Sequence, residues 1–118
     1  MRNHSNISSY RTKDGSRIWE LFHPDSSPVE GFSVAEALVE PGQGTKAHVH
    51  RTSLEVYYIL EGRGEMRLGA DTFSVVPGDA IMIRPGTLHD IRNAGNGALR
   101  VLCICRPPYS HNDMELEK

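Results

Sequence analysis

Two histidines one residue apart, His48 and His50, and a glutamate five residues later, Glu55, are the side chains in this sequence best suited to hold a cation. On a strand, side chains two apart face the same way, so His48 and His50 project together while Val49 points away. Two residues of strand rise about 6.6 Å, a span from which two imidazoles can lean onto one ion. Glu55 begins the apolar run through Leu60 and can reach the same point from an adjacent strand. Imidazole and carboxylate together suit Mn, Fe, Co, Ni or Zn rather than Ca or Mg. His89, opening a strand after the Pro85-Gly86 turn, is a fourth candidate. Three neutral imidazoles and one carboxylate leave a divalent ion with net charge of about +1 and one or two open positions. Such a centre suits a chelating oxygen anion, meaning a carboxylate, enediol or hydroxy acid. Fe or Mn there could also bind dioxygen.

Positioning these groups requires a stack of short strands, and the sequence supplies them. Apolar runs predict strands over 17–22, 32–39, 46–50, 55–61, 64–68, 72–76, 80–83, 88–92 and 100–105. Glycine or proline punctuates them at Gly62, Gly64, Gly69, Pro77-Gly78, Pro85-Gly86 and Gly95 to Gly97. The 32–39 segment has the propensity of a helix, but Glu40-Pro41-Gly42 stops it and only strands follow. Many short strands with tight turns imply an all-β sandwich or barrel. Parity carries further: if Glu55 faces inward, so do Tyr57 and Ile59, while Val56 and Tyr58 face out. Tyr57 is therefore the candidate catalytic side chain for orienting a substrate or moving a proton, with barrel filling as its alternative role.

The paired stretches resemble the two motifs of the cupin family. In the first, glycine, His-x-His, glutamate and glycine fall at Gly42, His48, His50, Glu55 and Gly62. In the second, Gly78, Gly86, His89 and Asn93 fall in register, with Arg84 where a proline is usual. The resemblance covers about residues 30 to 106. It implies a double-stranded β-helix with His48, His50, Glu55 and His89 as ligands of one divalent transition metal, Mn, Fe, Zn, Ni or Co. One copy of the motifs implies one barrel, with residues 1–16 as an N-terminal arm, 17–106 as the barrel and 107–118 as a tail. It also implies a small-molecule ligand in the barrel. Cupins of similar ligand set include dioxygenases and oxidases. Others are isomerases, and small single cupins are often described as mannose-6-phosphate isomerase-like. A binding or sensing module without turnover is the alternative. A catalytic acid or base beside the metal would favour an enzyme, and a purely apolar lining would favour the module.

The remaining signals bound the partners. The chain has 118 residues, the length of one domain, and a net charge of −2 with no basic stripe, which argues against nucleic acid. No apolar run approaches a membrane span, and Met1-Arg2-Asn3-His4 carries no secretory signal. Cys103 and Cys105 lie on one face of an apolar strand and are expected reduced, which points to the cytoplasm. Sheet edges need cover, so a homodimer is the expectation. Met66 and Met82 read as core filler, Trp19 as a packing anchor in the core or a subunit contact, and His4 and His23 as exposed. Arg84, Arg92 and Arg100 read as solvated, with pairing to an anionic substrate as the sharper alternative. Tyr109 and His111, in the tail, read as surface residues that could close the pocket mouth.

Overall fold

A computed structural model describes residues 1–118. A short 3-10 turn, His4–Asn6, precedes eleven strands. They are β1 (Tyr10–Arg11), β2 (Arg17–Phe22), β3 (Ser33–Val39), β4 (His48–His50), β5 (Leu54–Glu61) and β6 (Gly64–Leu68). Then come β7 (Asp71–Val75), β8 (Ala80–Ile83), β9 (His89–Asn93), β10 (Leu99–Arg106) and β11 (Met114–Leu116). One sheet runs β1-β2-β3-β10-β5-β8 and the other β11-β4-β9-β6-β7. The pairings are antiparallel, the arrangement expected of a double-stranded β-helix. The 33–39 segment is strand because seven consecutive residues pair with β10, which overrides its helical propensity.

Alternation divides the strands around the site between core and outside. On β5, Glu55, Tyr57 and Ile59 are buried while Tyr58 and Leu60 are exposed. Ile81 and Ile83 take the inside of β8, so Met82 between them points out and is 53% exposed; it is not core filler, whereas Met66 is fully buried. The core between the sheets is built from Tyr57, Ile59, Met66, Ile83, Ile91, Leu99 and Val101 among others. Motif residues outside the ligand set hold the frame. Gly62 has φ of 85° and lies so close to Ala98 that any Cβ would collide with its carbonyl oxygen. The Asn93 side chain donates to Val39 O at 3.0 Å and to Gly97 O at 2.7 Å, tying β9 to the opposite sheet.

The chain ends depart most from the sequence reading. β1 pairs with β2, so the N-terminal arm extends the larger sheet, and β11 in the tail extends the smaller one beside β4. Lys13 joins the two segments, donating to His111 O at 2.7 Å and Met114 O at 3.1 Å. His23 is buried, not exposed, with Nε2 2.8 Å from Tyr109 O. His4 stacks on Trp19 at 4.1 Å and reaches Glu36 Oε2 at 2.7 Å. Both lie on the outer face of the larger sheet, so Trp19 is an anchor there and not in the core.

Candidate metal centre

Strand β4 is only three residues long, so its neighbours must hold it. His48 pairs directly with His89 on β9, and Met114 and Leu116 of β11 pair with His50 and His48 on the other side. The next turn is fixed by Asp113. Its carboxylate accepts from Thr52 N at 2.9 Å, Thr52 Oγ1 at 2.8 Å and Ser53 N at 3.1 Å. That turn carries the chain into β5, which belongs to the facing sheet. Glu55 therefore reaches the histidines across the barrel interior, not from an adjacent strand as the sequence suggested.

The four candidate ligands converge. His48, His50 and His89 each offer a ring nitrogen, and these three atoms lie within 4.8 Å of one another. Glu55 Oε1 is 3.2 Å from His50 Nε2 and 3.6 Å from His89 Nε2. All four residues are buried. Nδ1 of His48 lies 2.7 Å from Lys46 O and Nδ1 of His89 lies 2.9 Å from Thr87 O. A carbonyl can only accept, so both Nδ1 atoms carry the proton and both Nε2 lone pairs face the centre. His89 Nε2 and Glu55 Oε1 are buried without a hydrogen-bond partner, a costly arrangement that a cation would relieve. The donor set thus fits a divalent transition ion.

Electrostatics agree. Burial, reinforced by the adjacent His89, lowers the His48 pKa below 6.5 and favours the neutral, ligating form. Burial acts the same way on His50, but the Glu55 carboxylate 3.2 Å from its Nε2 outweighs this and leaves its pKa raised. Burial by itself would raise Glu55; the His50 and His89 imidazoles beside it prevail and hold it at about 2. Glu55 Oε2 accepts from the Cys105 thiol at 3.2 Å, which orients the carboxylate. Burial pushes the Cys103 and Cys105 thiols up, and both cysteines are free.

His48, His50 and Glu55 line a cavity of about 50 Å³ inside the barrel, with His89 fully buried behind its wall. That volume admits a ligand of only a few heavy atoms. Tyr57 lines it too, its ring 6.1 Å from His89. Burial raises the Tyr57 phenol well above its ordinary 10, so it bears its proton. Tyr109 also lines the cavity, 6.0 Å from the His50 ring, and its hydroxyl meets His111 Nδ1 at 3.0 Å. The tail is therefore part of the cavity wall at Tyr109, while His111 stays exposed. Arg84 and Arg92 are exposed, and Arg100 is paired with Glu36 at 2.6 Å, so none of these arginines lines the cavity.

Sequence reasoning missed Asp14. Asp14-Gly15-Ser16 forms a turn in which Asp14 Oδ1 accepts from Ser16 N at 2.9 Å, Ser16 Oγ at 2.7 Å and Thr12 Oγ1. The turn, however, docks on the metal strand. Lys46 N donates to Asp14 O at 2.7 Å, and the buried Asp14 side chain brings Oδ2 to 3.6 Å from His48 Nε2. Alternate residues of the hairpin, among them Tyr10, Thr12, Asp14 and Glu20, form one side of the cavity. Alternation through Ile18 and Glu20 was the available signal, but nothing local tied it to the histidines.

With fold and site in view, the comparisons assign the class. The chain belongs to the cupin family: residues 35–105 match the cupin domain. The uncharacterized protein MJ1618 of Methanocaldococcus jannaschii is 52% identical over 110 residues, covering 93% of this chain and 88% of that one. An oxalate-binding protein of Thermotoga maritima is 31% identical over 70 residues, covering 59% of this chain and 58% of its own. The crystal structure of a predicted oxalate decarboxylase from Thermotoga maritima superimposes with a TM-score of 0.80 at 23% identity, covering 91% of this chain and 98% of the other. That likeness bears on the fold alone.

Proposed function

We propose that this chain is a metal-dependent enzyme acting on a small oxygen-rich metabolite held in the barrel, with His48, His50, Glu55 and His89 as the ligands. One observation carries the reading. Buried, unpartnered donor atoms converge from both sheets on a cavity that ends at them. A bound divalent ion would supply Lewis-acid polarisation of a ligand oxygen or, as Fe or Mn, a redox couple.

Titratable groups beside the centre favour an enzyme over a passive binding module. The Tyr57 phenol keeps its proton and can donate to a ligand oxygen, and the Asp14 carboxylate beside His48 can accept one. Cys105 keeps Glu55 oriented, and Tyr109 contributes to the cavity wall. Reaction type divides between dioxygenase or oxidase chemistry and isomerase or lyase chemistry. The experiment is to load the protein separately with Fe(II), Mn(II) and Zn(II) and offer small diols, hydroxy ketones and hydroxy acids. Oxygen uptake reports the first class and proton exchange or isomerisation by NMR the second. Saturable binding without turnover under every metal would leave the sensing module.

The same reading extends to assembly and location. Met82, Tyr58 and Leu60 are exposed on the outer face of the larger sheet, where a second copy can pair. Free Cys103 and Cys105 suit the cytoplasm, where thiols stay reduced.

A further inference from the structure

Building on the metal-site reading, we infer that the cavity selects an uncharged oxygen ligand and rejects carboxylates and phosphates, with Asp14 as the specificity-determining side chain. The inference starts from charge. None of the chain's 13 lysines and arginines lines the cavity. Three carboxylates do: Glu55, Asp14 and Glu20. Glu55 belongs to the ligand set, and with three neutral imidazoles it leaves a divalent ion at about +1. Asp14 cancels that remaining charge. It is buried at 6% exposure, its Oδ1 is committed to the turn, and Oδ2 makes none of those bonds and faces His48. Glu20, nearer the N-terminal hairpin's base, accepts from Tyr10 Oη at 3.2 Å and adds a further negative charge.

An anionic ligand entering this cavity would meet no compensating cation, and repulsion between like charges is strong where water is excluded. Two cations of neighbouring elements are spent elsewhere. Lys13 holds tail carbonyls, and Arg100 is paired with Glu36 on the outer face. What the lining offers instead is the Tyr57 hydroxyl, beside aliphatic surface and the Thr12 and Ser16 hydroxyls that donate to Asp14. This suits a neutral molecule with two neighbouring oxygen donors, such as a hydroxy ketone or hydroxy amide. The class differs from the oxalate named for the Thermotoga maritima relatives.

The test is equilibrium binding to Co(II)-loaded protein, read from the cobalt d–d absorption, with glycolamide and glycolate as an isosteric neutral and anionic pair and oxalate as a second anion. Metal content is measured first on every sample. In wild-type protein glycolamide should bind more tightly than glycolate, the reverse of the usual preference of divalent ions for carboxylate. Asp14→Asn keeps the turn's oxygen acceptor and removes the charge. It should raise the affinity for glycolate relative to glycolamide by about tenfold. Glu20→Gln, away from the turn, should move glycolate the same way by a smaller factor. Tighter binding of glycolate or oxalate than of glycolamide to metal-loaded wild type, with a ratio unchanged in Asp14→Asn, would overturn this inference alone. A chain that takes up no cobalt would overturn the metal site as well.

Discussion

At the scale of single residues, His50 is the pivot of the centre. In the metal-free chain the Glu55 carboxylate beside it raises its pKa above 6.5, so a proton competes with the metal below that raised value. Metal affinity should therefore be greatest on the alkaline side and fall as pH drops through that value, by about tenfold per unit for one displaced proton. Calorimetric titration with Zn(II) between about pH 8 and about pH 6 checks this, and a flat profile would contradict it. The signs differ for metal-free stability. His50 contributes fully below 6.5 and loses its contribution as pH rises through its raised value. Glu55, held at about 2, contributes above its ordinary 4.5 and loses that as pH falls toward 2. The ligand candidates were legible because strand parity and motif spacing are local properties. Asp14 was not, because its contact with His48 depends on where a distant turn lands, and an Asp-Gly-Ser turn reads alike wherever it folds.

At the scale of elements, the centre depends on how β4 and the turn after it are held. Asp113 accepts hydrogen bonds from Thr52 and Ser53, and these bonds, prevailing over the opposing effect of burial, lower its own pKa. Asp113→Ala should cost about 1 kcal/mol, or about 5 °C in melting temperature, and should weaken metal binding by loosening the link between His50 and Glu55. A melting curve and a Zn(II) titration on the same sample test both parts; unchanged values would show that the turn holds itself. The expected strands formed with ends shifted by a residue or two, since alternation and glycine punctuation mark them. β1 and β11 escaped notice because they are only two and three residues long, and only the strand edges of β2 and β4 make them strands. Sheet membership was equally hidden. β4 and β5 follow one another but lie in opposite sheets, a fact of topology that spacing does not encode.

At the scale of the whole molecule, two sheets meet at the candidate ligand cluster and leave apolar side chains exposed on the outer face of the larger one. Met82 was misread as core because each methionine was weighed without its strand's parity; Ile81 and Ile83 already fill the inside. If that face pairs two copies, Met82→Asp should convert a dimer to a monomer in analytical ultracentrifugation without loss of metal, whereas an unchanged mass would move the interface elsewhere. The central claim concerns the barrel interior: His48, His50, Glu55 and His89 form one metal centre. The most direct measurement is the metal content, by elemental mass spectrometry, of untagged protein purified without chelators, beside a His50→Ala variant checked for its fold by circular dichroism. The account predicts about one transition-metal ion per wild-type chain and a sharp loss in the folded variant. No metal in the wild type after incubation with each of Mn, Fe, Co, Ni and Zn, or equal metal in wild type and variant, would contradict it.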